Sequence, residues 1–125
     1  MNERLLSRVA IAMLAASLDA CIESPRPEVR VYAGDANRGE AVLASLQCGA
    51  CHSIPGVAGA VGQVGPPLDA FATRPYIAGK FPNQPELLVR WLLDPPALAP
   101  QTGMPAVPMS EQDARDMAAY LYELR

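Results

Sequence analysis

Cys48-Gly49-Ala50-Cys51-His52 is the stretch that decides how this chain of 125 residues folds. Two cysteines three positions apart lie on one face of a helical turn, so both thiols can add to the vinyl groups of one porphyrin. The next residue, His52, can then turn its imidazole over the ring and bind the iron from that side. C-x-x-C-H is the attachment sequence of c-type haem. The motif therefore predicts one covalently bound haem c.

Three other uses of a C-x-x-C pair explain this sequence less well. A structural zinc site needs four ligands, but the chain has one histidine and only one further cysteine, Cys21. A thioredoxin-like pair occurs near a βαβ pattern, and no such alternation surrounds Cys48. A disulfide between Cys48 and Cys51 would leave His52 without a role. Haem attachment is the use that accounts for all three residues.

The first 21 residues have the pattern of an export signal. Arg4 and Arg8 precede an uncharged apolar run over residues 9–18. Ten residues are too few for a membrane-spanning helix, so the run predicts a signal peptide. It ends in Leu18-Asp19-Ala20-Cys21, which resembles a bacterial lipoprotein box with Cys21 as the lipidated residue. Ordinary secretion and an uncleaved anchor are the alternatives, and all three place the rest of the chain outside the cytoplasm.

The remaining residues are enough for one domain. Residues 22–33 contain Pro25 and Pro27 and lack helical periodicity, which predicts an extended linker; a first strand packed on the domain is the alternative. Residues 34–125 form the predicted domain. About a hundred residues are few for an unaided core, and a large buried cofactor would supply apolar contact area.

Composition narrows the possible partners. The formal net charge is −3, and this mild acidity argues against a nucleic-acid partner, which calls for a basic patch. Lys80 is the single lysine, which excludes a ring of lysines that would steer the protein to an acidic partner. The 13 prolines and 9 glycines predict much irregular backbone between few long elements.

The periodicity of apolar residues predicts an all-α fold with three main helices and long loops around the haem. The first helix covers residues 35–47 with Asp35 as its N-cap. The second covers 84–93, with Asn83 as its cap and Pro95-Pro96 as its stop. The last begins at Ser110, with Asp113 in capping-box position. We expect the first and last helices to cross near Gly39, with Met117 and Tyr120 against Leu43.

The second axial ligand of the iron has to be a residue other than histidine. Two of the five methionines lie in the leader, which leaves Met104, Met109 and Met117. Met104 lies in a loop between Pro100 and Pro105, whose rigid irregular backbone suits a ligand. Met109 is the rival, five residues further on, and Met117 falls on a helix face typical of the core. An open or labile sixth position is the remaining alternative.

Several residues could support the haem edge. The indole N–H of Trp91 is a candidate partner of a haem propionate, with an ordinary core tryptophan as the alternative. Arg74, Tyr76 and Lys80 are further candidates, with solvated surface positions as the alternative. Glycines 56, 59, 62 and 65 recur after His52, but they do not match the phosphate-binding G-x-G-x-x-G pattern. We expect this loop to lie against the ring and to screen its edge thinly.

Over residues 34–125 the chain resembles the class I (mono-haem) c-type cytochromes. The resemblance is carried by Gly39 and the C-x-x-C-H motif, and by Gly65-Pro66-Pro67-Leu68, Thr102-Gly103-Met104-Pro105 and Ala119-Tyr120-Leu121. It implies the class I cytochrome c fold. It also implies that the Pro66 carbonyl accepts a hydrogen bond from His52 Nδ1 and that Met104 is the distal ligand. Residues 74–91 resemble small membrane-linked cytochromes of respiratory chains.

The resemblance implies a one-electron carrier whose haem iron cycles between Fe(II) and Fe(III), and not an enzyme, because both axial positions are filled. We expect it to shuttle electrons from a quinol-oxidising donor to a terminal oxidase. Its place would be the periplasmic side of the bacterial envelope, held by a lipid, as a monomer or a complex subunit. The alternatives are a fixed subunit of a terminal oxidase or periplasmic dehydrogenase complex, and a haem peroxidase or gas sensor from which Met104 can dissociate.

Overall fold

The computed structural model describes residues 28–125. The predicted signal peptide (residues 1–21), the predicted lipid site Cys21 and residues 22–27 of the predicted linker lie outside the described residues. Among residues 28–125, no helix has both the length and the apolar character needed to span a bilayer.

The described residues form four α-helices joined by long loops. These are α1 (Ala36–Ser45), α2 (Pro85–Leu93), α3 (Pro95–Leu98) and α4 (Glu111–Leu121). Short 3₁₀ turns cover Cys48–Ala50 and Phe71–Thr73, and an antiparallel hairpin pairs β1 (Tyr76–Ile77) with β2 (Phe81–Pro82). The core lies where α4 packs against α1 on one side and α2 on the other. The three longer helices and the long loops confirm the predicted all-α fold.

Helix α1 begins and ends near the predicted positions. The Asp35 side chain accepts a hydrogen bond from Arg38 N at 3.0 Å, as expected of an N-cap. The helix ends at Ser45, two residues before the predicted end, because Gln47 adopts a left-handed conformation with φ +56°. The chain turns there directly into the cysteine motif, so α1 determines where the motif starts.

Helices α1 and α4 cross at Gly39, as predicted. A methyl group at Gly39 would overlap the backbone carbonyl of Asp116 and would lie 3.0 Å from Tyr120 Cβ. Leu43 and Met117 are both almost fully buried in the core beside this crossing. The predicted capping box at the start of α4 is also present, with Ser110 and Asp113 each bonding the other's backbone N–H.

Asp116 fastens the start of α1 to α4. Its carboxylate is 2 % exposed and accepts hydrogen bonds from Asp35 N at 2.8 Å, Arg38 Nε at 2.8 Å and Gln112 Nε2 at 2.8 Å. A buried charge is tolerated only when it is paired and hydrogen-bonded, and these donors meet that need. The sequence patterns predicted no such network.

We expect the protein to lose stability in acid through Asp116. Burial raises the pKa of this carboxyl, but the hydrogen bonds from Arg38, Asp35 N and Gln112 outweigh it and leave the pKa below its ordinary value. A pKa that is lower in the folded state stabilises the fold above the unfolded-state value, about 3.9, and this contribution is lost as the pH falls through the folded-state value. In urea titrations between pH 7 and pH 2, Asp116→Asn should therefore have a lower free energy of unfolding than the wild type at pH 7. Below about pH 4, the free energy of unfolding of the variant should change less with pH than that of the wild type. The exposed-acid control, Glu40→Gln, should follow the wild type, and an unchanged acid profile in Asp116→Asn would contradict this account.

The predicted cap of α2 is wrong. Gln84 occupies the N-cap position and makes no side-chain cap bond. The Asn83 side chain instead donates to Phe71 O and Arg74 O, both at 3.0 Å, and accepts from the Tyr122 hydroxyl at 2.8 Å. Burial raises the pKa of Tyr122 to about 12, so its hydroxyl stays protonated and able to donate. The Asn83 side chain thus stabilises the loop before α2 and is not free to cap the helix.

Pro95 and Pro96 end α2 as predicted, but they also begin the short helix α3, which was not predicted. The Asp94 side chain caps it by accepting from Ala97 N at 3.1 Å. Proline suits the first positions of a helix because its missing N–H would have no partner there. The β1–β2 hairpin was not predicted either, since two-residue strands carry no periodic signal.

The end of the predicted linker lies on the domain without forming a strand. Val31 is buried in the core, and Gln112 Nε2 donates to Ala33 O at 2.8 Å. Arg115 Nη1 reaches Tyr32 O at 3.4 Å. Residues 31–33 are therefore held against α4.

Candidate haem-attachment site

The cysteine motif forms one tight turn with His52 at its end. Cys48–Ala50 is a 3₁₀ turn, and the amides of Cys51 and His52 both donate to Cys48 O, at 3.2 and 3.0 Å. The thiols of Cys48 and Cys51 are not joined in a disulfide; Cys48 is half-buried and Cys51 exposed. Burial raises the pKa of the Cys48 thiol. Two unpaired thiols are thus held one turn apart beside the single histidine.

The His52 ring is oriented through one of its two nitrogens. Nδ1 lies 2.7 Å from Pro66 O, the contact that the resemblance implies. A carbonyl oxygen only accepts, so Nδ1 carries the hydrogen and the neutral ring keeps the lone pair of Nε2 free. Histidine ligands of metals are commonly fixed in this way, by a second hydrogen bond that sets ring orientation and tautomer. The ring is therefore arranged to bind a metal through Nε2.

The loop after His52 is bonded back onto the motif. Gly62 N donates to Gly49 O at 3.0 Å and Gly65 N to Cys51 O at 2.8 Å. Ser53 and Val61 form an antiparallel bridge. These backbone bonds hold the loop in one position, which places Pro66 O at the imidazole.

Three glycines allow this close approach. A methyl group at Gly65 would overlap the His52 ring, with Nδ1 at only 2.6 Å, and one at Gly62 would lie 2.5 Å from Ala50 O. A methyl group at Gly49 would lie 2.6 Å from Ala60 Cα. Gly49, Gly62 and Gly65 thus let the loop pack on the motif. That the loop also lies against the haem ring stays a prediction.

Helix α4 also holds this loop, through a contact that the sequence patterns did not indicate. The Tyr120 hydroxyl donates to Pro55 O at 2.6 Å. The neighbouring Gly56 has φ +84°, and a side chain there would overlap the same hydroxyl. The sequence patterns placed Tyr120 against Leu43 and in the Ala119-Tyr120-Leu121 motif, and nothing in its spacing links it to a residue 65 positions earlier.

Arg74 bonds the far end of the loop. Its Nη2 donates to Pro67 O at 2.6 Å and to Asp69 O at 2.7 Å, and the guanidinium lies over the Phe71 ring. Lys80, another propionate candidate, lies over the Phe81 ring, and Tyr76 is exposed. For all three candidates the propionate role stays a prediction.

The remaining candidates lie in and around the core. Met117 is buried in the core, as expected. Met104 and Met109 are half-buried, and Met104 N donates to Thr102 Oγ1 at 3.2 Å. Trp91 is buried with its ring centroid 5.9 Å from that of Phe81. The haem contacts of Met104, Met109 and Trp91 stay predictions.

The residues present fit a covalently attached haem. The site brings together two unpaired thiols and an imidazole whose Nε2 is free. The loop packs so closely on this imidazole that only glycine fits beside it. Cys48 and Cys51 would hold the porphyrin through thioether bonds, and His52 would bind its iron. Attachment of haem through such a motif defines the c-type cytochromes, and the all-α fold agrees with their class I members.

Comparison with known proteins agrees with this class. The model of the cytochrome c family matches residues 36–125, and the chain belongs to that family. The cytochrome c oxidase subunit 2 of Alkalihalophilus pseudofirmus is 36 % identical over 117 residues, which are 92 % of this chain and 33 % of that relative. The chain thus spans about a third of the length of this relative. Family membership implies haem as the cofactor and electron transfer as the work of the domain.

Proposed function

We propose that this chain carries single electrons in a respiratory chain, with one haem c that Cys48 and Cys51 would attach and whose iron His52 and Met104 would bind. The contact between His52 Nδ1 and Pro66 O carries the proposal, because it leaves Nε2 free to serve as a ligand. The bound haem would supply an iron that alternates between Fe(II) and Fe(III).

The chain's own residues act by holding this centre in one arrangement. Pro66 O fixes the imidazole, and the bonds from Gly62 and Gly65 to the motif keep the loop from moving when the charge of the centre changes. Met104 as second ligand would raise the reduction potential, as Met/His ligation does in cytochromes c. If His52 and Met104 both bind the iron, no position would remain on it for a substrate, so we propose a carrier and not an enzyme.

The proposed location follows from the N-terminal residues. The export signal in residues 1–21 would deliver the chain to the periplasmic side of the envelope, and a lipid on Cys21 would hold it at a membrane. Confinement near a membrane raises the effective concentration of a partner there. Such confinement would replace the charge steering that a chain with one lysine lacks. A quinol-oxidising donor and a terminal oxidase are the proposed partners.

A second candidate is a fixed subunit of a terminal oxidase complex. The similarity to a cytochrome c oxidase subunit 2 favours it. A fixed subunit would co-purify with the oxidase in a constant ratio after mild detergent extraction. A shuttle would separate from the oxidase on gel filtration.

We expect Met104→Ala, and not Met109→Ala, to abolish the weak far-red absorption band of methionine-bound ferric haem. Removing the thioether that binds the iron removes this band, whereas Met109 would be only a neighbour. The measurement is the optical spectrum of the oxidised haem-loaded variants. Loss of the band in Met109→Ala alone would transfer the ligand role to Met109.

A further inference from the structure

We propose that Tyr120 is a positioning residue for His52: the bond from its hydroxyl to Pro55 O holds the loop over residues 53–68 and keeps the imidazole in its contact with Pro66 O. Tyr120 is not a ligand and acts through the backbone of this loop. The inference rests on the proposed role of His52 as an iron ligand. It adds to that role a distant side chain on α4 that fixes the ligand.

Tyr120 presents its hydroxyl from a rigid part of the fold. The residue is 8 % exposed and lies at the crossing of α1 and α4, where a methyl group at Gly39 would lie 3.0 Å from its Cβ. Burial raises the pKa of Tyr120, with smaller contributions from the charges of Glu40 and Glu123. The hydroxyl therefore stays protonated and able to donate, and the packed helices determine where it points.

The acceptor, Pro55 O, belongs to the turn that reverses the chain after His52. Ile54 N donates to Ala60 O at 3.1 Å and closes this turn. Proline has no N–H, so the carbonyl is the backbone polar group through which Pro55 can be held. The bond from Tyr120 at 2.6 Å thus fastens the turn to α4.

The two arms of this turn meet again at the imidazole. One arm carries His52 itself, three residues before Pro55. The other arm begins at Val61, which pairs with Ser53, and leads to Pro66, whose carbonyl oxygen lies 2.7 Å from His52 Nδ1. A shift of the turn relative to α4 would therefore change the distance between the ring and its acceptor. Fixing the turn keeps this distance constant when the charge of the centre changes.

Tyr120→Phe removes the hydroxyl and keeps the ring. In the reduced full-length haem-loaded variant, hydrogen exchange of the Gly62 and Gly65 amides, which bond the loop to the motif, should become faster by about fivefold or more, because one hydrogen bond is lost. Exchange of the His52 Nδ1 hydrogen with solvent should become faster by a similar factor. NMR measures all three signals, and the ring signal reports the ligand itself.

Tyr122→Phe is the matched control. It removes a second buried hydroxyl two positions further on, which donates at 2.8 Å to Asn83 in the loop before α2. The same three signals should then stay within about twofold of the wild type. Exchange of the Leu43 amide, in the core of α1, reports general destabilisation and separates it from local opening of the loop.

Gly56 provides a second test that does not begin by removing the hydroxyl. Gly56→Ala would place a methyl group against the Tyr120 hydroxyl, whereas a methyl group at Gly59 has no protein atom within 4 Å. Both substitutions strain the backbone, since φ is +84° at Gly56 and +74° at Gly59, but only the first displaces the hydroxyl. Gly56→Ala should therefore accelerate exchange of the His52 Nδ1 hydrogen more than Gly59→Ala does. The difference should disappear when each is combined with Tyr120→Phe, and a difference that persists would overturn the proposal.

The outcomes separate this proposal from the function on which it rests. Wild-type exchange of all three signals in Tyr120→Phe, or an equal rise in Tyr122→Phe, would overturn the positioning role and leave the proposed function standing. A wild-type protein purified without covalently bound haem would overturn the proposed function. In that protein, the amides of Gly62 and Gly65 would still decide whether Tyr120 holds the loop.

Discussion

Gly39→Val is expected to lower the free energy of unfolding by about 3 kcal/mol or more. The reason is the crossing of α1 and α4, where the backbone of Asp116 already occupies the place of a side chain at residue 39. Valine would force the helices apart and would loosen the bonds between Asp116, Asp35 and Arg38. A loss of this size is a large part of the total stability of a small domain, about 5 to 15 kcal/mol. Urea titration of the haem-loaded protein measures it.

Two further variants separate packing from helix propensity. Ala41→Val places the same side chain on the exposed side of α1 and should cost less than about 1 kcal/mol. Gly39→Ala would gain about 1 kcal/mol of helix propensity, so a net loss in that variant would isolate the steric cost. A Gly39→Val protein as stable as Ala41→Val would show that the helices do not approach as described.

Gly65→Val is expected to displace His52 and to convert most of the haem-loaded protein to a high-spin form. Even a methyl group at residue 65 overlaps the imidazole, so the ring would have to leave its hydrogen bond with Pro66 O. The loop cannot simply shift away, because Gly65 N is bonded to Cys51 O at 2.8 Å. The yield of haem-loaded protein and the spin state in its optical spectrum measure the effect.

The control is Ala58→Val, which enlarges an exposed side chain in the same loop. It should keep the wild-type spectrum. A low-spin Gly65→Val protein with wild-type yield would contradict the packing of this glycine against the ligand.

Features coded by neighbouring residues were predictable from the sequence. The cap that Asp35 provides to α1 and the capping box of Ser110 and Asp113 could be predicted, because each of these bonds joins residues three positions apart. The crossing at Gly39 was predictable because glycine inside an amphipathic helix needs a close neighbour to justify its cost. The motif at Cys48, Cys51 and His52 was readable because its chemistry depends on short spacing.

Features that depend on distant partners were not predictable. Asn83 has the spacing of a cap, but its side chain is hydrogen-bonded to Phe71, Arg74 and Tyr122 instead. No pattern in the sequence singled out Asp116, whose partner Arg38 lies 78 residues earlier. A local pattern cannot show which of several possible hydrogen bonds the tertiary structure will provide.

In the candidate site, too, the features coded by neighbouring residues were predictable and those that depend on distant partners were not. The resemblance, and not spacing, implied the bond between His52 and Pro66. The role of Arg74 as a propionate partner stays a prediction, but the bonds from its guanidinium to Pro67 O and Asp69 O were not predicted. The link from Tyr120 to Pro55 had no signal in the sequence. In the site, sequence reasoning missed mainly the contacts that hold the loop. Their acceptors are backbone carbonyls, which a sequence motif does not indicate.

The optical spectrum of the purified protein, reduced and oxidised, before and after addition of carbon monoxide, tests the central claim most directly. A six-coordinate carrier with His52 and Met104 on the iron should give sharp low-spin bands, the far-red band when oxidised, and no change with carbon monoxide. A reduced spectrum that shifts readily with carbon monoxide would show an accessible iron position, and would contradict the carrier in favour of an enzyme or a gas sensor.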